Sequence, residues 1–86
     1  MKELWILGVH ITNRVKDVSD FQAVLTKFGC TIKTRLGLHE VTDDFCALSG
    51  LVILELTGHR EEFVKLENEL LKIDGIEVKK MVFDKG

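Results

Sequence analysis

The sequence predicts an α+β fold of element order βαββαβ, with two helices covering one face of a four-stranded antiparallel sheet. Three observations predict it: two one-sided helical repeats, a strand-like run on either side of each, and the recurrence of the whole pattern at a fixed offset. Val18, Phe21, Leu25 and Phe28 fall at i, i+3, i+7 and i+10, followed by Gly29; Phe63, Leu66, Leu70 and Ile73 repeat that spacing, with Gly75 as the stop. The second set lies 45 positions after the first, and the alternation Leu7, Val9, Ile11 maps by the same offset onto Val52, Leu54, Leu56. The chain is thus a duplicated strand-helix-strand unit. Right-handed crossovers in each half, interleaved, give a ferredoxin-like sandwich with the first and third strands at the centre of the sheet, a single domain over residues 1–86.

The first strand is Leu4 to Ile11, with Trp5, Leu7, Val9 and Ile11 turned to the helices. Glu3 and His10 bracket only six residues, too few for a signal-peptide core or a membrane span. Asp17 or Ser19 is placed to cap the first helix, and Gly29 to end it in a left-handed conformation. In the second strand Ile32, Thr34, Leu36 and Leu38 alternate with Lys33, Arg35 and Gly37. After an acidic connection the third strand presents Val52, Leu54 and Leu56 to the helices. The second helix, in EEFVKLENELLK, has a solvated face with Glu61 and Lys65 at i, i+4, and IEVKKMVF supplies the last strand.

The central strands depart from the pattern of a half-solvated sheet. Leu4, Ile6, Leu51 and Ile53 occupy the alternate positions, on the face the helices leave open, where polar residues are expected. Such an apolar patch on a small domain marks an interface. It predicts a homo-oligomer, dimer or tetramer, built through the open face and a sheet edge. His10 and Glu55 fall in the same register, near Lys33 and Arg35 of the second strand, as a polar cluster that satisfies itself across the subunit boundary or, as the alternative, binds a small anion.

Composition narrows the function classes. A chain of 86 residues has a small core that assembly supplements. Twelve basic against fourteen acidic residues, scattered along the chain, give a net charge of -2 and leave no electrostatic footprint for nucleic acid. With 45% hydrophobic and 30% charged residues the chain is globular, with no membrane segment. Cys30 and Cys46, without a CxxC pair, point to reduced thiols and a cytoplasmic protein. Ser19 and Ser49 lack elbow glycines, no triad spacing is present, Asp43 and Asp44 sit adjacent in a turn, and there is neither a GxGxxG nor a P-loop. The expectation is therefore a protein that is not an enzyme and carries no cofactor.

The run GVHITNRVKDVSDFQAVLTKFGCTIKTRLGL resembles the ACT regulatory domain, in which a first strand leads through a short loop into a helix ended by Gly, followed by a small residue and Ile opening the second strand. Asn13 and Arg14 stand in that loop, and Gly29, Thr31 and Ile32 at that turn. Through ALSGLVILEL and LLKIDGIEVK the chain is similar to the small ACT-like proteins called iron-only hydrogenase system regulators, and more distantly to the C-terminal metal-binding domain of nickel-responsive regulators. The resemblance implies a regulatory or sensory module, a regulator of transcription or of a hydrogenase system, that binds a small-molecule effector at Thr12, Asn13 and Arg14 before the first helix. Val15-Lys16 stands where ACT domains commonly place Pro-Gly, so an amino acid is not implied as the effector.

The nickel-regulator resemblance implies an alternative, a nickel or other transition-metal site. His39 and Cys46 match that family's ligands, with His10 as a ligand from a further subunit, but Gly37 stands where its first strand histidine falls, and six rather than five residues separate His39 from Cys46. Because the first strand begins within four residues of Met1, no DNA-binding segment is expected ahead of it, and any effect on transcription passes through another protein. A small metabolic enzyme on the same fold is the third reading.

Overall fold

The computed structural model describes residues 3–12, 18–39 and 50–85, together with the strand backbone but not the side chains of Leu38 and His39. The elements follow the expected order: β1 (Glu3–Ile11), α1 (Ser19–Lys27), β2 (Ile32–His39), β3 (Gly50–Leu56), α2 (Arg60–Leu71) and β4 (Ile76–Asp84). The strands form one sheet in the order β2-β3-β1-β4, with every neighbouring pair antiparallel, so the fold is ferredoxin-like with β1 and β3 at its centre.

The duplication is visible in the register. Gly8 pairs with Ile53, a residue 45 positions away, which is the offset of the repeat. The twofold relation between the halves therefore passes through this pair, and it relates His10 to Glu55, Ile6 to Leu51 and Thr12 to Thr57. The turns follow it to within one residue. The Thr12 amide donates to the Gly75 carbonyl at 3.0 Å, and the Thr57 amide to the Thr31 carbonyl at 2.7 Å, each tying the end of a central strand to the turn that opens an outer one.

The core lies between the sheet and the helices. Leu7, Val9 and Leu54 are completely buried against Phe63, Leu66 and Leu70, and Phe21 and Leu25 add the first helix. Each such side chain contributes about 1.5–3 kcal/mol through its removal from water. Trp5 stacks at a tilt on Phe63, with ring centroids 5.5 Å apart, and donates its indole N–H to Glu3 at 3.0 Å. Lys80 of β4 lies over the Trp5 ring at 4.4 Å and reaches Glu67 of α2 at 3.1 Å, which fastens the outer strand to the second helix.

Three local expectations change. The cap position of α1 is Val18, which makes no side-chain cap hydrogen bond, and Ser19 is the first helical residue rather than the cap; Asp17 lies outside the described residues. Gly29 is not left-handed: positive φ among the described residues belongs to Gly58 and Gly75 alone. The turn after α1 instead brings the Thr26 carbonyl to 3.3 Å from where a Cβ on Gly29 would stand, so glycine serves there by close approach. Lys65 pairs with Glu62 at 3.4 Å instead of with Glu61, because the i, i+3 partner lies as near on the helix surface as the i, i+4 one.

The largest change is in β2. Its register against β3 shifts between Ile32 and Thr34, a β-bulge that inserts one residue and exchanges the faces beyond it. Ile32 pairs with Leu56 and packs against the core, but Thr34 then pairs with Glu55, Arg35 with Leu54 and Leu36 with Ile53. Arg35 therefore stands in the helix-side register, away from Glu55, and Leu36 moves to the open face.

Candidate functional site

The face of the sheet opposite the helices is the candidate site, and it is built row by row from cross-strand partners, which share a face. One row runs Thr34, Glu55, Ile6, Met81; the next Leu36, Ile53, Gly8, Lys79; the next Leu38, Leu51, His10, Glu77; and Leu4 pairs with Phe83 at the opposite end. Apolar residues thus form a diagonal band, from Leu36, Leu51 and Ile53 on β2 and β3 to Leu4, Ile6, Met81 and Phe83 on β1 and β4. Leu36, Met81 and Phe83 are each about half exposed, at 53%, 54% and 48%. Among the described residues no element packs over the band.

Polar residues hold the two corners beside it. In one corner Glu55 accepts a hydrogen bond from the Thr34 hydroxyl at 2.9 Å and lies 3.8 Å from the Lys33 ammonium. In the other, His10 Nδ1 lies 3.8 Å from a Glu77 carboxylate oxygen, and Lys79 makes no ion pair among the described residues. The internal twofold relates these corners, because His10 and Glu55 are equivalent positions of the two repeats. The two equivalent positions carry different chemistry, an imidazole at His10 and a carboxylate at Glu55. Gly8, between Ile53 and Lys79, leaves a shallow dent in the face; a Cβ there would meet nothing closer than the Lys79 carbonyl at 3.9 Å, so packing within the chain does not require glycine.

Some of the residues expected from sequence can be placed relative to this face. Thr12 follows β1 directly, and its hydroxyl donates to the Gly75 carbonyl at 2.7 Å, which ties the end of β1 to the turn before β4. Asn13 and Arg14 themselves lie outside the described residues, as do Glu40, Asp43, Asp44, Cys46 and Ser49. His39 pairs with Gly50 at the end of β2, one row beyond the row of His10. Among the described residues, no group of three or more His, Cys, Asp or Glu side chains is arranged to hold a metal ion. Cys30 carries an exposed free thiol in the turn after α1. Glu55 joins Lys33 as expected; Arg35 does not, for the bulge places it on the other side.

Sequence reasoning missed Leu36, Met81, Phe83 and Lys79 on the open face. For β4 the signal was present: Ile76 and Val78 are packed on the core, so the odd-numbered Met81 and Phe83 follow the opposite face once Glu77 and Lys79 are set in register. For Leu36 the bulge concealed it.

Two grooves lie away from this face. One, of about 840 Å³ between the C-terminal end of α1 and a face of α2, has its Lys27 and Lys72 paired with Glu69 and its Lys65 with Glu62. The other adjoins the start of α2, where Glu3 meets Arg60 at 3.6 Å. No described helix is long and apolar enough to cross a membrane.

No protein-family model and no curated protein matches the chain. Among solved structures the chain is similar to an uncharacterized protein from Thermotoga maritima, with a TM-score of 0.78 and 21% identity over 96% of this chain and 100% of that one. At that identity the likeness is one of fold alone.

Proposed function

We propose that the protein is a non-enzymatic regulatory or sensory module that works as a homo-oligomer and binds a small effector beside the subunit boundary, at the loop of Thr12, Asn13 and Arg14. The observation that carries it is the diagonal apolar band on the open sheet face. An enzyme of this size needs a concave site with convergent polar groups, whereas this face is broad and aliphatic and suits a second protein surface. A role as a regulator of transcription or of a hydrogenase system accords with the ACT-like resemblance of the loop and first helix, with the signal read by another protein.

The test combines mass in solution with thermal denaturation of protein purified without a histidine tag, in the presence of single amino acids, nucleotides and inorganic anions. An oligomer is expected, with one ligand class raising the melting temperature, because a ligand that binds only the folded state stabilises it. Arg14→Ala should abolish that shift and leave the oligomer intact. A monomer that responds to no ligand overturns the proposal. Stoichiometric nickel, zinc or copper held through His39 and Cys46 replaces it with the metal-sensor reading.

A further inference from the structure

We infer that two copies of this chain pack open face to open face about a twofold axis lying along the apolar diagonal, so that Glu55 of each copy enters the dent at Gly8 and pairs with Lys79 of the other. This deepens the proposed function and rests on its homo-oligomeric part, not on its effector.

Symmetry and charge together select the axis. Face-to-face packing of identical sheets requires a twofold axis in the plane of the contact, since an isologous interface places the same patch on both sides. An axis along the strands, or across them, lays much of the apolar band over the partner's charged corners, and burying a charge against aliphatic groups is costly. An axis along the diagonal lays the band of one copy on the band of the other. The same rotation exchanges the corners. The corner holding Glu55, Thr34 and Lys33 then covers the corner holding Lys79, His10 and Glu77.

The corners are complementary. Lys79 is a cation without an ion-pair partner among the described residues, at the end of the row that contains Gly8. Glu55 is anionic and is flanked by one ammonium at 3.8 Å and one hydroxyl, which leaves acceptor capacity on its oxygens. Gly8 stands between Ile53 and Lys79 and supplies the relief that a carboxylate needs to come down onto the sheet; this accounts for a glycine in the middle of a central strand, where it weakens the strand and where nothing among the described residues demands it. The extent is adequate. Four strands across and about eight residues along measure roughly 19 by 27 Å, so about 500 Å² in plan per copy and about 1,000 Å² in total, at the lower bound of a specific contact.

The experiment is a charge exchange read as a dimer dissociation constant by analytical ultracentrifugation, with circular dichroism to confirm the fold. Glu55→Lys and Lys79→Glu, each alone, set like charges against one another and should weaken the contact about tenfold or more. The double variant restores opposite charges across the boundary and should return the constant to near the parental value. A salt titration should show the single variants recovering and the parental contact weakening. Single variants that associate like the parent, or a double variant no tighter than the singles, overturn the pairing and leave the homo-oligomer reading standing on another surface. A parental protein that is monomeric at every concentration overturns both.

Discussion

Gly8 is the residue at which the needs of the fold and those of the proposed subunit contact can be separated. Within the chain, a methyl group at this position meets ordinary van der Waals distance to the Lys79 carbonyl and no more. Removing a glycine from a strand interior relieves an entropic cost of about 0.5–1 kcal/mol. Gly8→Ala is therefore expected to raise the stability of the isolated fold slightly, in chemical denaturation at low protein concentration, and to weaken association by filling the dent that receives Glu55. A change of the same sign in both measurements would mean that Gly8 serves the fold alone. Trp5 is the opposite case, since it is 2% exposed and engages Phe63, Lys80 and Glu3 at once. Trp5→Ala or Phe63→Ala should each cost about 3–5 kcal/mol in urea denaturation, a large share of the stability of so small a domain. A double mutant cycle on the pair should show coupling of about 0.5–1.5 kcal/mol for the tilted ring contact, which two unconnected losses would not give.

At the scale of the elements, Glu69 is the point where the two helices join. Lys72 hydrogen-bonds it at 2.9 Å and Lys27 at 3.2 Å, so that α1 and α2 are tied at their C-terminal ends; these two ammonium groups, Lys72 foremost, hold its carboxyl below the ordinary carboxylate range. A carboxyl whose pKa is lowered by folding adds stability above its unfolded value, and loses that stability as the pH falls through the folded one. The expected outcome is a small acid-side decline beginning near the ordinary glutamate value of about 4, diminished by salt because both ammonium partners are exposed at the surface. Glu69→Gln should remove that part of the decline; an unchanged acid limb in the variant assigns it to other carboxylates. The elements themselves were legible in the sequence because hydrophobic period and offset are properties of the pattern as a whole. The helical sets ending in Phe28 and Ile73, and the alternation from Trp5 to Ile11, each need several residues to agree, and all are realised. Features set by one residue were not legible. The bulge before Thr34 is an insertion of a single position, which periodicity over so short a strand does not resolve, and it moved Arg35 and Leu36 to the faces opposite those expected. The cap at Val18 and the ordinary φ of Gly29 are similar: preference allows Ser19 and a left-handed glycine, but backbone geometry fixed by packing decides.

The whole molecule has one face that is finished and one that is not. On the helix side the sheet closes over a core in which Leu7, Leu54 and Leu66 have no exposure at all. On the other side it offers an apolar band that the described residues leave open, the surface to which the proposed assembly is assigned. Leaving Leu4, Ile6, Leu51 and Ile53 without a partner forgoes up to about 1.5–3 kcal/mol for each one fully buried. Assembly recovers that for two copies at once. Ile6 and Ile53 lie near the middle of the band, in neighbouring rows, and neither contributes to the buried core, so Ile6→Lys with Ile53→Lys alters the contact and spares the fold. The double variant places two ammonium groups per copy, four across the boundary, in a surface that must lose its water, where unpaired charge is strongly disfavoured. The expected product is a smaller, folded species by light scattering, with an unchanged circular dichroism spectrum. The expected fall in melting temperature is larger at high protein concentration than at low, because the association that supports the parent is concentration-dependent. Retention of the parental mass by this variant would place the subunit contact at a sheet edge, through β2 or β4, and would remove the open face from the function proposed for it.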